Sequence, residues 1–302
     1  MVKRRRVRNF PKANNEMVVL KLEFGASTYI WESPFTTDNV DLTKRVADLG
    51  FDIIEICVED PSQIDTERLK NGLQNSGIKA TVCGAFGESR DISSEQSDVR
   101  ESGLKYIKRC IDIANEIGSP IVVGPMYSAT GKARLATPSE RNQQRIWALE
   151  NIKIVSEYAL ERNVSLAIEP LNRFETDFMN TTEQGMEFIE KLGVKNVGLL
   201  LDTFHMNIEE TDVCAAIRTA KTRLFHFHAC ENDRGIPGSG HCPWNEIALT
   251  LQEIKYEASV VIEAFTIDNT EIARAVSLWR QIAPTQESIA TEGLSFLKKL
   301  FS

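Results

Sequence analysis

The chain has 302 residues, of which 42% are hydrophobic and 26% are charged, and its formal net charge is −8. This composition is typical of a globular protein that is long enough to bury a full core. The acidic balance argues against nucleic acid as the main partner, and the apolar runs fall well short of the roughly 18 residues that a membrane span needs.

The six cysteines include no CxxC pair and no dense framework. This usage indicates the reduced thiols of a cytoplasmic protein rather than disulfides. From the net charge and the short apolar runs, we expect neither nucleic acid nor a membrane as a partner. None of the cysteines is well placed as a nucleophile, although Cys230 lies near the candidate site that is described below.

The N-terminal segment, residues 1–17, is basic and precedes any apolar periodicity. Its Lys and Arg residues stand at positions 3, 4, 5, 6, 8 and 12. No apolar segment long enough for a signal peptide follows, because Lys21 interrupts the run from Met17 to Leu22. We therefore interpret residues 1–17 as a disordered arm and residues 18–302 as one barrel domain. Contact of the arm with an anionic surface is the alternative, and Met17 is an alternative start.

From residue 18 onward, the chain alternates strand-like apolar runs with segments of helical spacing. Eight strands are predicted at residues 18–27, 52–57, 78–85, 120–125, 164–169, 196–202, 224–228 and 259–263. Helices are predicted at residues 39–49, 65–76, 97–117, 139–161, 270–282 and 286–300. The strands are almost wholly apolar, as expected for parallel strands that are buried on both faces. Eight such units in about 250 residues predict a single (β/α)8 TIM barrel.

Four of the predicted strands end in a residue that can bind a metal ion, namely Glu169, Asp202, His228 and Glu263. Because the active sites of (β/α)8 barrels form at the C-terminal ends of the strands, we expect these four side chains to converge. Three carboxylates and one imidazole suit a divalent ion such as Mn²⁺, Mg²⁺ or Co²⁺. Zn²⁺ is an alternative, although it usually draws more nitrogen and sulfur ligands.

Each of these carboxylates also has a simpler interpretation, as a helix cap or as part of a salt bridge on the barrel rim. Four residues together are harder to explain in that way, since burying several carboxylates without a cation is costly. His226 lies two residues before His228 and should point to the same face of the strand. We prefer His228 as the ligand because it stands nearer the C-terminal end. We interpret His241, which lies in a loop with Gly and Pro, as a surface residue.

Five segments of the chain carry a family resemblance: LNRFE at 171–175, LDTFHMNIEE at 201–210, HFHACENDR at 226–234, PGSGHCPW at 237–244 and VIEAF at 261–265. They resemble segments of the ketose 3-epimerases, the D-tagatose and D-allulose (psicose) 3-epimerases of the xylose-isomerase-like TIM barrel superfamily. The resemblance covers essentially all of the chain after Met17.

The resemblance implies an isomerase that inverts C3 of a free ketose of the D-tagatose, D-fructose, D-allulose or L-ribulose type. It implies that one divalent ion, usually Mn²⁺ or Co²⁺ and sometimes Mg²⁺, is bound by Glu169, Asp202, His228 and Glu263. A ketone at C2 acidifies the proton at C3, and a bound divalent ion stabilises the enediolate that forms when this proton leaves. Members of the family are typically homodimers or homotetramers, so we expect a homo-oligomer.

The same match implies roles for individual residues around the ion. Glu169 and Glu263 would be the acid/base pair, and the substrate would be bound by Glu175, His205 and Arg234. From the residues alone, Arg234 could instead form a rim salt bridge with Glu231 or Asp233. His205, which we place in a strand-to-loop turn, could instead orient Asp202.

Departures from the family pattern leave the preferred ketose open. Ser27 stands where the allulose-type enzymes have a tyrosine near the sugar, and Ala264 replaces a proline that often follows the last glutamate. The loops CGAFGES at 83–89 and PMYSATGKAR at 125–134 also differ.

Other enzymes of the superfamily are the main alternatives, namely an aldose–ketose isomerase or a keto-inositol dehydratase. A DNA-repair endonuclease would need more histidines than the four present, and a non-catalytic sugar-binding barrel is a further alternative.

Overall fold

The computed structural model of the protein describes residues 22–302. The predicted arm at residues 1–17 and the alternative start at Met17 lie outside the described residues. The same is true of the first four residues of the strand predicted at 18–27. Within the described residues, this strand begins only at Phe24.

Eight parallel strands close into a barrel in chain order, with β8 hydrogen-bonded to β1. The strands are β1 (Phe24–Ser27), β2 (Ile53–Val58), β3 (Lys79–Gly84), β4 (Ile121–Gly124), β5 (Ser165–Ile168), β6 (Val197–Asp202), β7 (Leu224–Ala229) and β8 (Val260–Ile262). Each predicted strand overlaps one of these strands. The prediction of a single (β/α)8 TIM barrel is therefore confirmed.

Ten α-helices lie in the part of the chain that the structure describes. They are α1 (Leu42–Asp48), α2 (Thr66–Ser76), α3 (Ser97–Ile117), α4 (Pro138–Leu160), α5 (Thr182–Leu192), α6 (Thr203–Glu209), α7 (Val213–Ala220), α8 (Trp244–Glu253), α9 (Thr270–Ala275) and α10 (Gln286–Leu300). The apolar sides of nine of them pack around the barrel in the main core, whereas α9 packs through Ala273 in a second cluster with Tyr29 and Phe265. None of these helices is long and apolar enough to cross a membrane.

Local signals account for the helix boundaries that were predicted well. The side chain of Asp65 accepts a hydrogen bond from the backbone N–H of Arg68 at 3.0 Å and starts α2. Gly77 and Gly118 follow α2 and α3 with φ angles of 67° and 82°. This left-handed conformation favours glycine, and it ends both helices where the sequence predicted.

Three predictions about the helices are wrong. The helix predicted at 270–282 ends at Ala275, because Ser277 adopts a φ of 57° and the backbone N–H of Leu278 turns back to Ala273 O at 2.8 Å. The helix predicted at 39–49 begins only at Leu42, after a short 3₁₀ turn. The segment after β6, predicted as a turn, is helix α6, since Asp202 Oδ1 accepts from the N–H of Phe204 at 2.7 Å.

Candidate active site and metal centre

The four predicted metal ligands converge at the C-terminal end of the barrel. One ligand atom from each of Glu169, Asp202, His228 and Glu263 lies within 4.8 Å of the others, and all four side chains are buried. His228 Nδ1 lies 3.6 Å from Glu263 Oε2 and 4.0 Å from Asp202 Oδ2. Within residues 22–302, neither His228 Nδ1 nor Glu169 Oε1 has a hydrogen-bond partner. Two unpartnered buried ligand atoms in an acidic group fit a divalent cation.

The electrostatics of this group also favour a cation. Burial raises the pKa of Glu169 well above its usual value, and the neighbouring Glu263 raises it further. Burial likewise raises the pKa of Asp202, to about 6, although Arg234 opposes this. The positive charge that the surrounding side chains supply is therefore too small to keep every carboxylate readily ionised.

His228 is held from its other side by Glu55, a residue that the sequence analysis missed. Glu55 Oε1 lies 2.9 Å from His228 Nε2, while its Oε2 lies 2.8 Å from His226 Nε2 and accepts from Thr81 Oγ1 at 3.0 Å. All four side chains are buried inside the barrel. Glu55 was detectable as the one acidic residue within the apolar run of β2. Both histidines therefore contact Glu55, and the second ring nitrogen of His228, Nδ1, faces Asp202 and Glu263.

Arg234 is buried against two of the candidate ligands. Its Nη1 donates to Asp202 Oδ2 at 2.8 Å and to Glu263 Oε2 at 3.0 Å. Its Nη2 lies 3.9 Å from Glu175 Oε1. The rim salt bridge that was considered from the sequence is not what forms.

The two acidic neighbours of Arg234 have other partners. Glu231 accepts hydrogen bonds from the backbone N–H groups of Asn232, Gly238 and Cys242 and from Trp244 Nε1. Asp233 Oδ2 accepts from Arg280 Nη2 at 2.8 Å.

His205 lies on α6 and faces the same centre. Its Nδ1 accepts from the backbone N–H of Asn172 at 3.1 Å. Nε2 lies 3.6 Å from Glu169 Oε1 and 3.1 Å from Arg234 Nη2. Burial lowers the pKa of His205 well below its usual value, and the nearby Arg234 lowers it further. The ring is therefore neutral, and its Nε2 faces the site between Glu169 and Arg234.

Glu175 completes the group of predicted site residues. Its Oε1 accepts from Asn172 Nδ2 at 2.8 Å, and the side chain is half-buried at the edge of the site. Asn172 thus holds both Glu175 and His205 in place. The sequence analysis quoted Asn172 within LNRFE but gave it no role. The structure brings all seven predicted site residues together.

A cavity of about 490 Å³ opens above this group. Glu169, His205, Arg234 and Glu263 line it together with Tyr29, Phe86 and Phe265. Ser27 does not contribute to the wall, because it is buried and its Oγ lies 3.1 Å from Cys57 Sγ. The cavity wall nevertheless contains a tyrosine, because Tyr29, two residues after Ser27, lines it. Two segments from the divergent loops, 83–87 and 130–131, also line the cavity. His241 is exposed, as predicted.

Comparison with known proteins agrees with this geometry. Residues 43–300 match the family described as Xylose isomerase-like TIM barrel. A "Probable ketose 3-epimerase" of Synechocystis sp. is 34% identical over 281 residues, which cover 93% of this chain and 97% of the relative. A D-psicose 3-epimerase of Agrobacterium fabrum is 32% identical, covering 84% of this chain and 88% of that protein.

A solved structure extends the match to three dimensions. The crystal structure of D-allulose 3-epimerase from Methylomonas sp. in complex with D-allulose superposes with a TM-score of 0.87 at 26% identity. The match covers 93% of this chain and 97% of that chain. The protein therefore belongs to the xylose isomerase-like TIM barrel family and, within it, to the ketose 3-epimerases, which are carbohydrate isomerases.

Proposed function

We propose that the protein is a divalent-metal-dependent epimerase that inverts C3 of a free ketose by removing and returning a proton. The observation that carries the proposal is the convergence of Glu169, Asp202, His228 and Glu263 at one end of a sugar-sized cavity. The substrates named for relatives and neighbours, D-psicose, L-ribulose, D-tagatose and D-fructose, support a ketose of this size.

The chemistry of the donor set supports Mn²⁺ as the ion, with Co²⁺ or Mg²⁺ as alternatives. Glu169, Asp202, His228 and Glu263 would hold it. When bound there, the ion would supply positive charge that stabilises the enediolate. The remaining steps fall to the side chains of the chain itself.

Glu169 and Glu263 are suited to act as a proton-transfer pair because their surroundings shift their pKa values in opposite directions. Burial and the neighbouring Glu263 raise the pKa of Glu169. Burial also acts to raise the pKa of Glu263, but His228 and Arg234 outweigh it and lower the pKa. One carboxyl group that tends to hold a proton and one that tends to release it are what an inversion needs, since the proton leaves one face and returns to the other.

Three further side chains would bind the sugar. Arg234 would donate to an oxygen that becomes negative as the C3 proton leaves, because its guanidinium is buried beside Glu263 of the acid/base pair and beside Asp202. The neutral ring of His205 would hydrogen-bond a sugar hydroxyl through Nε2, and Glu175 would accept from another hydroxyl at the edge of the cavity.

We also propose that the protein is a cytoplasmic homo-oligomer. All six cysteines are free, which supports a reducing compartment. Two large apolar side chains, Leu135 and Phe174, are exposed to 94% and 74%. They lie on neighbouring segments, since Lys132 pairs with Thr176. An exposed apolar pair beside the active-site mouth is the kind of surface that a second copy would cover.

The activity can be tested with purified protein, Mn²⁺ and a panel of ketoses, namely D-fructose, D-tagatose and L-ribulose. Chromatography should show the C3 epimer of at least one of them. A Glu169→Gln variant should lose the activity, whereas Glu157→Gln, at an exposed position on α4, should keep it. Formation of an aldose or loss of water, with no C3 epimer from any ketose, would reject the proposal in favour of an isomerase or a dehydratase.

A further inference from the structure

The interior of the barrel contains a buried polar cluster that packing alone does not require. It consists of Glu55 on β2, Thr81 on β3 and the two histidines of β7, and these four side chains are at most 3% exposed. Around them the interior is apolar or small, with Cys57, Cys83, Val123, Ala167 and Leu200. A carboxylate inside such a core is costly unless it is fully paired. A leucine would fill the space at lower cost, so the cluster indicates a functional requirement.

We propose that Glu55 is the positioning residue for the metal ligand His228. Its carboxylate accepts a hydrogen bond from the Nε2–H of His228 and so turns the Nδ1 lone pair toward the metal centre. This inference rests on the proposed metal-dependent function, and it adds a residue that does not itself touch the ion or the substrate.

The directions of the hydrogen bonds carry the argument. An ionised carboxylate only accepts, so Nε2 of His228, 2.9 Å from Glu55 Oε1, must be the donor. A neutral imidazole with its proton on Nε2 has its lone pair on Nδ1. That atom has no partner within residues 22–302 and points toward Glu263 and Asp202, at 3.6 and 4.0 Å. Glu55 therefore sets both the orientation of the ring and the tautomer that can bind a metal.

Glu55 is itself fixed through its second oxygen. Thr81 Oγ1 donates to Oε2 at 3.0 Å, and His226 Nε2 lies 2.8 Å from the same atom. His226 is anchored in turn, because its Nδ1 lies 3.2 Å from Ser259 Oγ. The carboxylate, carried by β2, is thus contacted from two other strands, β3 and β7, and has little freedom to rotate away from His228.

The same three side chains, Glu55, His226 and His228, also lie close enough to hold an ion of their own. We favour hydrogen bonding over a second metal for two reasons. Thr81 already donates to the carboxylate, and His228 would have to bind metal through both ring nitrogens. The number of ions bound per chain distinguishes the two arrangements.

The test uses the full-length protein after metal removal, with Mn²⁺ binding measured by calorimetry. Glu55→Gln keeps the shape of the side chain but replaces one carboxylate oxygen with an NH₂ group. This donor would then face either the N–H of a histidine or the O–H of Thr81. We expect one Mn²⁺ per chain in the unaltered protein and binding about 10–100-fold weaker in Glu55→Gln. Activity of the variant should fall at low Mn²⁺ and recover substantially at saturating Mn²⁺, with little change in KM for the ketose. A defect in folding alone would not be rescued in this way.

Two further variants keep the test decisive. Thr81→Val removes one donor to Glu55 and should weaken Mn²⁺ binding by about threefold to tenfold, even if Glu55→Gln does not fold. Asp112→Asn is the matched control, because Asp112 accepts from Tyr158 Oη at 2.8 Å and Arg162 Nε at 2.7 Å, away from the barrel interior. It should lose stability without any change in Mn²⁺ affinity.

The visible absorption spectrum of the Co²⁺-loaded protein provides a readout that does not depend on activity. Loosening of His228 should change the ligand-field bands in Glu55→Gln and Thr81→Val, but not in Asp112→Asn. If both variants bind Mn²⁺ as tightly as the unaltered protein and give its Co²⁺ spectrum, the inference is wrong. The inference is also wrong if the unaltered protein binds two ions per chain and Glu55→Gln binds one, because Glu55 would then be a metal ligand itself. If the unaltered protein binds no divalent ion, it is the proposed function that fails.

Discussion

Arg234 Nη1 lies 2.8 Å from Asp202 Oδ2, and the same nitrogen lies 3.0 Å from Glu263 Oε2. The guanidinium therefore contacts two of the four candidate metal ligands and supplies positive charge to the acidic group. Its flat face also lies 4.1 Å from the ring centroid of Phe204, which fixes its plane. In the proposed mechanism, Arg234 would therefore act on the candidate metal centre and on the substrate at the same time.

Replacing Arg234 with lysine should separate these two effects. A single ammonium cannot contact both carboxylates and also reach toward Glu175, so we expect kcat/KM for the ketose to fall by about 100-fold. The acidic group would then depend more on the ion, so Mn²⁺ should raise the Tm of Arg234→Lys more than that of the unaltered protein. Arg280→Lys is the control, since the largely exposed Arg280 pairs with Asp233 and none of its contacts within residues 22–302 is to a candidate metal ligand. An unchanged kcat/KM in Arg234→Lys would show that the guanidinium does not contact the reacting sugar.

Glu169→Gln and Glu263→Gln should each abolish net epimerisation, with losses of about 10²–10⁴ in kcat because each removes one side of the proton transfer. Exchange of the C3 proton with deuterated solvent can persist in each variant, but only from the epimer that the remaining carboxylate deprotonates. The measurement is NMR of both epimers incubated in D₂O with saturating metal. Retention of normal epimerisation by either variant would remove that glutamate from the pair.

Removal of divalent metal with a chelator should eliminate activity and lower the Tm. The reason is that Glu169, Asp202 and Glu263 are buried together, and the cation relieves both their burial and their mutual repulsion. Adding Mn²⁺ back at about 100 times its Kd should raise the free energy of unfolding by about 2.7 kcal/mol. The same addition should stabilise Asp202→Asn much less. Full activity after exhaustive chelation would contradict metal dependence.

Glu231 should stabilise the loop that carries Arg234, and it should do so in a pH-dependent way. Burial acts to raise the pKa of Glu231, but Trp244 and the backbone N–H of Cys242 outweigh burial and lower it to about 2. Because the folded-state pKa is below the usual glutamate value of about 4.3, the stabilisation is complete above that pH and is lost as the pH falls toward about 2.

We therefore expect Glu231→Gln to reduce the free energy of unfolding by about 1–3 kcal/mol near neutrality, because an NH₂ group replaces an acceptor for two N–H donors. Denaturant titrations should show the difference from the unaltered protein shrinking as the pH falls through this window. Glu246→Gln, at an exposed position on α8, should change stability by less than about 0.5 kcal/mol. A constant difference across the window would show that the charge of Glu231 is not what stabilises the loop.

The parts of the site that could be predicted from sequence are those that stand at the ends of strands. Glu169, Asp202, His228 and Glu263 each follow an apolar run, and parallel strands of a closed barrel bring such ends together whatever the loops do. Family resemblance then added Glu175, His205 and Arg234, whose segments have no strand-end signal of their own.

The parts that could not be predicted depend on pairing across the barrel or on local backbone geometry. The contact of Glu55 with His228 joins β2 to β7, and nothing in one sequence shows which interior residues face each other. Ser27 stands where related enzymes have a tyrosine near the sugar, but the chain turns after β1 and places Tyr29, rather than Ser27, in the cavity wall. The early end of α9 follows from the burial of Leu278, which is a tertiary contact.

The most direct test of the central claim is proton NMR of D-fructose incubated with the Mn²⁺-loaded protein in D₂O. The account predicts D-allulose that carries one deuterium at C3, because one glutamate removes the C3 proton and the other delivers, to the opposite face, a deuteron that it has taken from the solvent. An aldose, a dehydrated product, or D-allulose formed with complete retention of the original C3 proton would contradict it.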